Sequence, residues 1–422
     1  MSGCYFSVFK DKEVYRMYYR GARTLANGVY DRDTEVTCYA ESPDGIHWTK
    51  PRLGLHEFNG SKDNNIILPF DKRGISSNFA AFLDDRPGVP AAERYKAVGG
   101  KGEVGLCRMV SADGIHWRSF ADQPIFTGYA LDTMNVPMWY PAENQYVIYL
   151  RTWTEGGTPD KPAHSGVRTI SRSVSKDFVV WSKPERMNFG ETPTEQLYTS
   201  ATHPYFRAPH ILVSLPLRLV PGRQALTAEE MEGWGVNIKQ RTAVSDVVLM
   251  TSRGGNVYDR TFMEAFLRPG LDRKSWFARD LYPSFGVVPT GPTEMSFYVT
   301  THFTLPSYHV RRYSLRTDGF VSANAGYRGG ELVTKTVRFS GNNLLINYAT
   351  SAVGSVKVEL LDEMDRPIPG HTLDECREIL GDEIERQVIW RNQSGVERLA
   401  GRAVKLRFVL KDADLYSFCF AP

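Results

Sequence analysis

Ser42-Pro-Asp-Gly-Ile-His-Trp48 returns almost letter for letter as Ser111-Ala-Asp-Gly-Ile-His-Trp117, and a degraded copy reads Ser173-Val-Ser-Lys-Asp-Phe-Val-Val-Trp181. In each copy a short strand runs into a tight turn, where glycine accepts the positive φ that such turns require. The aspartate can bind turn amides, and the tryptophan returns to the packed face of the next strand. We interpret these boxes as structural markers of a repeated unit.

Short alternating segments bounded by turn residues predict five such units, each with three or four strands. The predicted strands are Tyr5–Phe9, Val14–Tyr19 and Glu35–Glu41; Asn78–Leu83, Arg94–Val98 and Gly105–Val110; Asn135–Trp139, Tyr146–Arg151 and Val167–Arg172; Tyr198–Phe206, Ile211–Leu217 and Asp246–Ser252; Phe285–Pro289, Met295–Phe303 and Tyr308–Arg316. This succession is typical of a five-bladed β-propeller over residues 1–323. The one convincing helix, Ala228–Trp234, lies in a loop of the fourth unit.

From residue 324 onward, alternating strands continue without any box. They are Lys335–Phe339, Asn343–Tyr348, Ser355–Leu361, Glu385–Trp390, Ala403–Leu410 and Lys411–Phe420. Residues 324–422 are therefore predicted to form a C-terminal β-sandwich, so the fold class is all-β with two domains.

The composition of the chain argues against several classes of partner and site. A net charge of +3 over 422 residues argues against nucleic acid or an anionic membrane surface as partner. Five scattered cysteines without CxxC spacing argue against disulfides and structural zinc. No apolar run reaches the roughly 18 residues of a membrane helix. Because the first residues already alternate like a strand, we expect no signal peptide, a cytoplasmic protein, and a chain that begins inside its first repeat.

The five predicted units, the boxes and the C-terminal strands together resemble the fructosidase/invertase-like glycoside hydrolases of family 32, in a superfamily that also holds arabinanases and xylosidases. The similarity extends to bacterial family-32-like proteins through Tyr15-Arg-Met-Tyr-Tyr-Arg-Gly21 and Asp412-Ala-Asp-Leu-Tyr-Ser417. Such a resemblance implies a sugar-cleaving site where the inner strands of the blades begin.

The resemblance implies two catalytic residues. Asp132, ahead of the third inner strand, matches the aspartate that stabilises the oxocarbenium-like transition state, although the family's Arg-Asp-Pro motif is missing. Glu195, ahead of the fourth, matches the general acid. Hydrolysis of a glycoside needs two such carboxyl groups beside one bond. The alternatives are that Asp132 caps a turn and that Glu195 is a solvated loop residue.

No carboxylate precedes the first inner strand, where the family keeps its nucleophile. Asp84, Asp85 and Glu41 are substitutes, although ordinary turn or surface roles are favoured for each. The nucleophile or base is therefore unassigned.

Polar residues near the predicted inner strands are candidates for substrate binding. They are Asn78, Asn135, Arg151, Tyr198, His203, Arg207, His210, Arg253, Asp259 and Arg260. Arginines such as Arg151 suit a carboxylated or sulfated sugar. Alternatively, Arg253, Asp259, Arg260 and Glu264 form a structural ion-pair network. We expect no metal and no cofactor, because the histidines have no accompanying carboxylate triad.

These patterns favour a glycoside hydrolase with a carbohydrate substrate, in which Asp132 and Glu195 meet in one funnel. A non-catalytic carbohydrate-binding propeller and a phosphate-dependent glycoside phosphorylase are the alternatives.

Overall fold

The computed structural model describes residues 4–23, 31–76, 78–391 and 395–422. These residues confirm the all-β prediction, because α1 (Ala228–Gly233) is the one α-helix among them. A capping box starts this helix, with Thr227 and Glu230 each bonding the other's backbone N–H. Short 3-10 turns lie at Arg32–Thr34, Ala91–Glu93, Gly102–Val104, Pro141–Glu143, Ile238–Gln240, Arg273–Ser275 and Glu397–Leu399.

The chain divides into two compact units. The first comprises Met1–Thr290 and Ser296–Tyr313, and the second comprises Gly291–Met295 and Ser314–Pro422. The division falls about ten residues before the predicted boundary, because the end of β23 (His309–Arg316) already belongs to the second unit.

Three four-stranded antiparallel sheets open the first unit, each with its strands in chain order. They are β1 (Phe6–Asp11), β2 (Val14–Gly21), β3 (Val36–Ser42) and β4 (Ile66–Leu68); β5 (Ala80–Leu83), β6 (Tyr95–Gly99), β7 (Cys107–Ser111) and β8 (Arg118–Ser119); β9 (Val136–Tyr140), β10 (Gln145–Trp153), β11 (Arg168–Ser175) and β12 (Glu185–Arg186). The predicted strands of these units are confirmed to within about three residues at each end.

The fourth repeat is more irregular than predicted. Its strands form two sheets, one of β13 (Gln196–Leu197), β16 (Leu217–Pro221), β17 (Ala243–Val248) and β19 (Ala265–Leu267), the other of β14 (His203–Tyr205), β15 (Ala208–Ser214) and β18 (Met250–Ser252). The predicted strand Tyr198–Phe206 is wrong over its first half, because Ala201 has a φ of 47° and interrupts the extended chain. A further sheet holds β20 (Tyr282–Pro283), β21 (Val288–Pro289), β22 (Glu294–Thr301) and β23.

The boxes are turns built by their aspartates. Asp113 Oδ1 accepts hydrogen bonds from the backbone N–H groups of Ile115 and His116, both at 2.8 Å. The indole of Trp117 donates to the Gly114 carbonyl at 3.0 Å. The degraded copy has the same geometry from Ser175 to Trp181, with Phe178 in the glycine position at a φ of 65°.

Each box also contacts the sheet that precedes its own. Tyr18 of the first sheet donates to the Gly114 carbonyl of the second box at 3.0 Å. Arg108 of the second sheet donates to the Phe178 carbonyl of the third box at 3.1 Å. The first box contacts the last sheet of the unit, where Tyr298 donates to the Gly45 carbonyl. The boxes therefore link successive sheets, and they link the last sheet to the first.

Backbone contacts run along the same seam between the first and last sheets. The N–H of Val8 donates to the Phe285 carbonyl at 2.8 Å, and the N–H of Phe285 donates to the Phe6 carbonyl at 2.9 Å. A cavity of about 340 Å³, the strand-end cavity, is lined by residues of β1, β5, β9, β14 and β21. Strands from five sheets therefore line the same cavity.

The second unit is one antiparallel sheet, with the long strands β26 (Asn343–Leu361) and β28 (Lys405–Ala421) paired along their lengths. It also contains β24 (Ala323–Ala325), β25 (Gly330–Val333) and β27 (Asp382–Gln387). Four of the predicted strands therefore form two long ones: Asn343–Tyr348 and Ser355–Leu361 are both part of β26, and Ala403–Leu410 and Lys411–Phe420 are both part of β28. The segment predicted as a turn is a register shift between Thr350 and Ser355. Lys335–Phe339 forms an isolated bridge instead of a strand, and the sandwich stays a prediction.

Cysteine side chains are distributed over both units. Cys4, Cys38, Cys107 and Cys376 are buried, Cys419 is exposed, and none of the five is in a disulfide. No helix in the described ranges is long and apolar enough to cross a membrane.

Candidate functional site

A cavity of about 110 Å³, which we call the strand-start cavity, is lined by residues just before β1 and β3 and by the first residue of β20, among others. Its full lining comprises Cys4, Tyr5, Arg20, Glu35, Lys101, Asp132, Tyr198, Arg279, Tyr282 and Phe303. Antiparallel pairing brings the end of β2 and the start of β3 beside the start of β1, since Phe6 faces Tyr19 and Gly21 faces Val36. Residues distant in sequence therefore meet at one end of the inner strands.

Asp132 is exposed in this cavity and has no hydrogen bond or ion pair with any described residue. Its loop is anchored on both sides by the buried residues Leu131 and Thr133. The side-chain amide of Asn135 donates to both of their carbonyls, at 3.1 and 3.3 Å. Asn135 therefore holds the loop of Asp132 from within the core, and the prediction that it contacts substrate is not supported by its burial.

Glu35 is a second carboxyl group in the cavity, and the sequence analysis missed its role. It is buried, with Oε1 3.2 Å from Arg20 Nη1 and Oε2 3.5 Å from Lys101 Nζ. Each carboxylate oxygen thus faces a cation, unlike those of Asp132. The sequence does contain a signal that Glu35 has a partner. Glu35 directly precedes a strand whose next five residues are buried, and a buried carboxylate is unfavourable without a partner.

Cys4 also lines the cavity, and Arg20 donates a hydrogen bond to its sulfur. Burial raises the pKa of the Cys4 thiol to about 11, so the thiolate is scarce at neutral pH. Burial therefore disfavours the thiolate form that a cysteine nucleophile requires.

Tyr198 has an environment unlike that of the other tyrosines in the cavity. Arg279 lines the same cavity, and the guanidinium carbons of Arg151 and Arg168 lie 5.3 and 5.5 Å from the Tyr198 ring centroid. Burial by itself would raise its pKa, but the charges of Arg151 and Arg279 outweigh burial and lower the pKa. Burial raises the pKa of Tyr5 and Tyr282 well above the usual value.

Glu195 does not join Asp132, which corrects the predicted pair. It lines a different cavity of about 380 Å³ together with Arg260, and Asp132 does not line that cavity. Arg218 Nη1 lies 2.6 Å from Glu195 Oε1, and Arg260 Nε lies 2.9 Å from Oε2. Guanidinium groups therefore occupy both oxygens of Glu195, whereas Asp132 has no such contacts with any described residue. Glu195 is part of an ion-pair network that also includes Asp246.

His203 is a structural residue, which corrects its assignment to substrate binding. It is buried, its Nδ1 lies 2.9 Å from the Ala201 carbonyl, and its Nε2 accepts the N–H of Val287 at 3.0 Å. Burial lowers its pKa to about 4, so the imidazole is neutral and both nitrogens are occupied.

The other predicted binding residues are dispersed. Asn78 is fully buried and donates to the Gly100 carbonyl at 3.3 Å. The exposed residues outside the strand-start cavity are Arg207, His210, Arg253 and Asp259. Of all the predicted site residues, the structure brings together Asp132, Tyr198 and, behind the tyrosine ring, Arg151.

None of the substitutes proposed for the missing nucleophile lines the strand-start cavity. Asp84 is buried against Lys96 at 2.7 Å, and Asp85 lines the strand-end cavity instead. Glu41 accepts a hydrogen bond from Tyr39 at 2.9 Å. Among the described residues, no group of three or more His, Cys, Asp or Glu side chains could hold a metal ion.

Comparisons with known proteins assign no family to this chain. No family model matches the chain, and no curated protein matches it. One similar solved structure is described as a glycoside hydrolase, with 13% identity, 73% of this chain and 86% of that chain covered, and a TM-score of 0.47. Another is an N-acetylgalactosamine deacetylase from F. plautii in complex with blood group B trisaccharide, with 15% identity, coverages of 76% and 91%, and a TM-score of 0.48.

A third similar structure is a glycoside hydrolase family 43 arabinoxylan arabinofuranohydrolase from Bacillus subtilis in complex with cellotetraose. It has 12% identity, coverages of 99% and 95%, and a TM-score of 0.46. At these identities and TM-scores, the similarities assign no activity to this chain.

Proposed function

We propose that this chain is a glycoside hydrolase that cleaves an oligosaccharide or glycoside in the strand-start cavity, on a five-bladed β-propeller. Support for the propeller comes from the five repeats, the three boxes that link the last, first, second and third sheets in succession, and the seam between Val8 and Phe285. The relation to family 32 rests on the sequence resemblance, and it belongs to the same proposal.

The observation that carries the proposal is a carboxyl group without a partner in a cavity of this composition. Asp132 is accessible there and has no ion pair among the described residues. The rings of Tyr5 and Tyr282 line the same cavity, and ring faces suit the apolar faces of sugars. Hydrolysis of a glycosidic bond requires a group that gives a proton to the leaving oxygen. We assign that role to Asp132.

The cations of the cavity have a supporting role. Arg279 and Lys101 offer donors to sugar hydroxyl groups, and Glu35 fixes Lys101 through the contact of 3.5 Å. Glu35 is therefore a positioning residue, because its own oxygens already face Arg20 and Lys101.

Replacement of Asp132 tests the proposal. Asp132→Asn keeps the size of the side chain but cannot donate the proton, so turnover of aryl glycosides should fall by roughly a hundredfold to ten-thousandfold. A panel of nitrophenyl glycosides of common pentoses and hexoses, assayed for released nitrophenol, measures this loss.

Glu195→Gln is the matched control for that experiment. It also replaces a carboxylate with an amide, but in the separate cavity, so turnover should stay close to that of the wild type in protein shown to be folded. Equal losses in both variants, or no hydrolysis of any glycoside by the wild type, would contradict the proposal.

A phosphate-dependent phosphorylase is the second candidate, and the charges of the cavity favour it. Arg20, Lys101 and Arg279 outnumber the two acids, Glu35 and Asp132, and arginine binds phosphate well. In that case, cleavage should require inorganic phosphate and release a sugar phosphate. Turnover in phosphate-free buffer favours the hydrolase.

A further inference from the structure

Three arginines surround Tyr198, and none of them has a carboxylate partner among the described residues. Arg151 and Arg168 lie at the ring, and Arg279 lines the strand-start cavity together with Tyr198, where its charge lowers the pKa of the phenol. Arg151 Nη2 donates to the Ala130 carbonyl at 3.2 Å, and Arg168 donates to the Gln196 side-chain oxygen. Both partners are neutral.

Three other arginines of this unit, unlike those around Tyr198, are paired with carboxylates. Arg20 pairs with Glu35, Arg172 with Glu143, and Arg260 with Glu195. Around Tyr198, the buried Nε atoms of Arg151 and Arg168 have no hydrogen-bond partner, as is also true of Arg172 Nε. What distinguishes the three arginines is that no described carboxylate pairs with them, so their positive charge favours an anion nearby.

The phenol of Tyr198 is the group best placed to be that anion. Arg151 and Arg168 do not line the strand-start cavity, so a ligand would reach Tyr198 and Arg279 before it reached them. A guanidinium over the ring face and another at the hydroxyl both stabilise negative charge on the ring and oxygen. This arrangement favours a phenolate that faces the cavity.

We propose that Tyr198 is the second catalytic residue of the strand-start cavity and acts as the nucleophile that binds covalently to the sugar. This inference rests on the proposed hydrolase function. Tyr198 would be the nucleophile that no carboxylate of the cavity provides. Both Glu35 oxygens already face cations, and Asp132 has the role of the acid.

The proposed reaction has two balanced steps. In the first, Tyr198 Oη bonds to the anomeric carbon, the bond from that carbon to the leaving oxygen breaks, and the leaving oxygen takes the electron pair and the proton of Asp132. In the second, a water oxygen bonds to the anomeric carbon and gives its proton to the Asp132 carboxylate. The bond to Tyr198 breaks, which restores the phenolate and releases the sugar with retained configuration.

A titration without substrate tests the phenolate. Phenolate absorbs in the near ultraviolet where phenol does not, so absorbance is followed as the folded protein is taken from pH 6 to about 10, the usual pKa of tyrosine. The wild type should show one tyrosine that ionises ahead of the others, and Tyr198→Phe should lose that step. Tyr282→Phe, the matched control in the same cavity, should keep it.

Leaving-group dependence tests the nucleophile in the same variants. Tyr198→Phe should lose about a thousandfold or more on every aryl glycoside that the wild type cleaves, because no bond to the sugar can form. Asp132→Asn should recover much of its rate on dinitrophenyl glycosides, whose leaving group needs no proton. Tyr282→Phe should lose far less, and thermal unfolding midpoints verify that all three variants are folded.

The outcomes separate this inference from the proposed function. If the wild type cleaves glycosides but Tyr198→Phe cleaves them equally well, or if the two titration curves coincide, Tyr198 is not the nucleophile and the hydrolase proposal stands. If the wild type cleaves no glycoside at all, the hydrolase proposal fails, and the nucleophile assignment fails with it.

Discussion

Asp280 is a fully buried acid directly behind the strand-start cavity. Its Oδ1 accepts the backbone N–H of Phe303 at 2.9 Å, and its neighbour Arg279 lines the cavity together with Phe303. Burial raises the pKa of Asp280 to about 7. The folded protein therefore binds a proton at this carboxyl group at pH values where the unfolded chain, with a pKa of about 3.9, has released it.

This difference predicts a pH dependence of stability. Because the folded pKa is the higher one, the free energy of unfolding falls as pH rises from about 4 to about 7, and on the order of 3 kcal/mol is lost between pH 5 and pH 8. Asp280→Asn should remove this loss, as measured by urea unfolding at the two pH values. The exposed Asp259→Asn should retain the wild-type slope, and an unchanged slope in Asp280→Asn would contradict the assignment.

At the same scale, the candidate residues show what sequence can predict. The family resemblance pointed to Asp132 ahead of a predicted inner strand, and the loop of Asp132 is organised by its own neighbours, Leu131 and Thr133. Glu195 was misassigned because its partners, Arg218 and Arg260, are separated from it by 23 and 65 residues. Glu35 shows a local signal only for burial, because the cations that face it, Arg20 and Lys101, are distant in sequence.

Among the structural elements, the boxes were the most predictable, because each is a local hydrogen-bonded turn. Gly114 shows that the turn also depends on packing: its φ is 78°, and an added Cβ would lie 2.5 Å from the Tyr18 hydroxyl. Long strands were less predictable, since pairing between β26 and β28 continues through the bulge that separates Thr350 from Ser355.

Gly114→Ala should lower the free energy of unfolding by about 2–4 kcal/mol, combining left-handed backbone strain with the displacement of Tyr18. Gly54→Ala is the matched control, because Gly54 has a φ of 70° but nothing within 4 Å of an added Cβ. Urea unfolding should show a smaller loss for Gly54→Ala. Equal losses would mean that the contact between the box and the first sheet contributes little.

For the whole molecule, the sequence predicted an all-β chain with a change of character near its C-terminal quarter. Each unit has its own buried core, one including Tyr149, Tyr258 and Leu217, the other including Trp390 and Phe408. The all-β class was predictable because apolar residues alternate along each strand, and this alternation determines which face of the strand is buried in the core. The same alternation does not indicate which strands pair, so the division of the fourth repeat into two sheets could not be predicted.

The cysteines are distributed so that their chemical modification can measure the unfolding of each unit separately. Cys38 and Cys107 are buried in the first unit, Cys376 is buried in the second, and Cys419 is exposed. Pulsed alkylation in rising urea, followed by mass spectrometry, should modify Cys376 at lower urea than Cys38 and Cys107, because the smaller unit buries less surface per residue. Simultaneous modification would show instead that the molecule melts as one cooperative body. Cys419 should react from the start and serve as the internal standard.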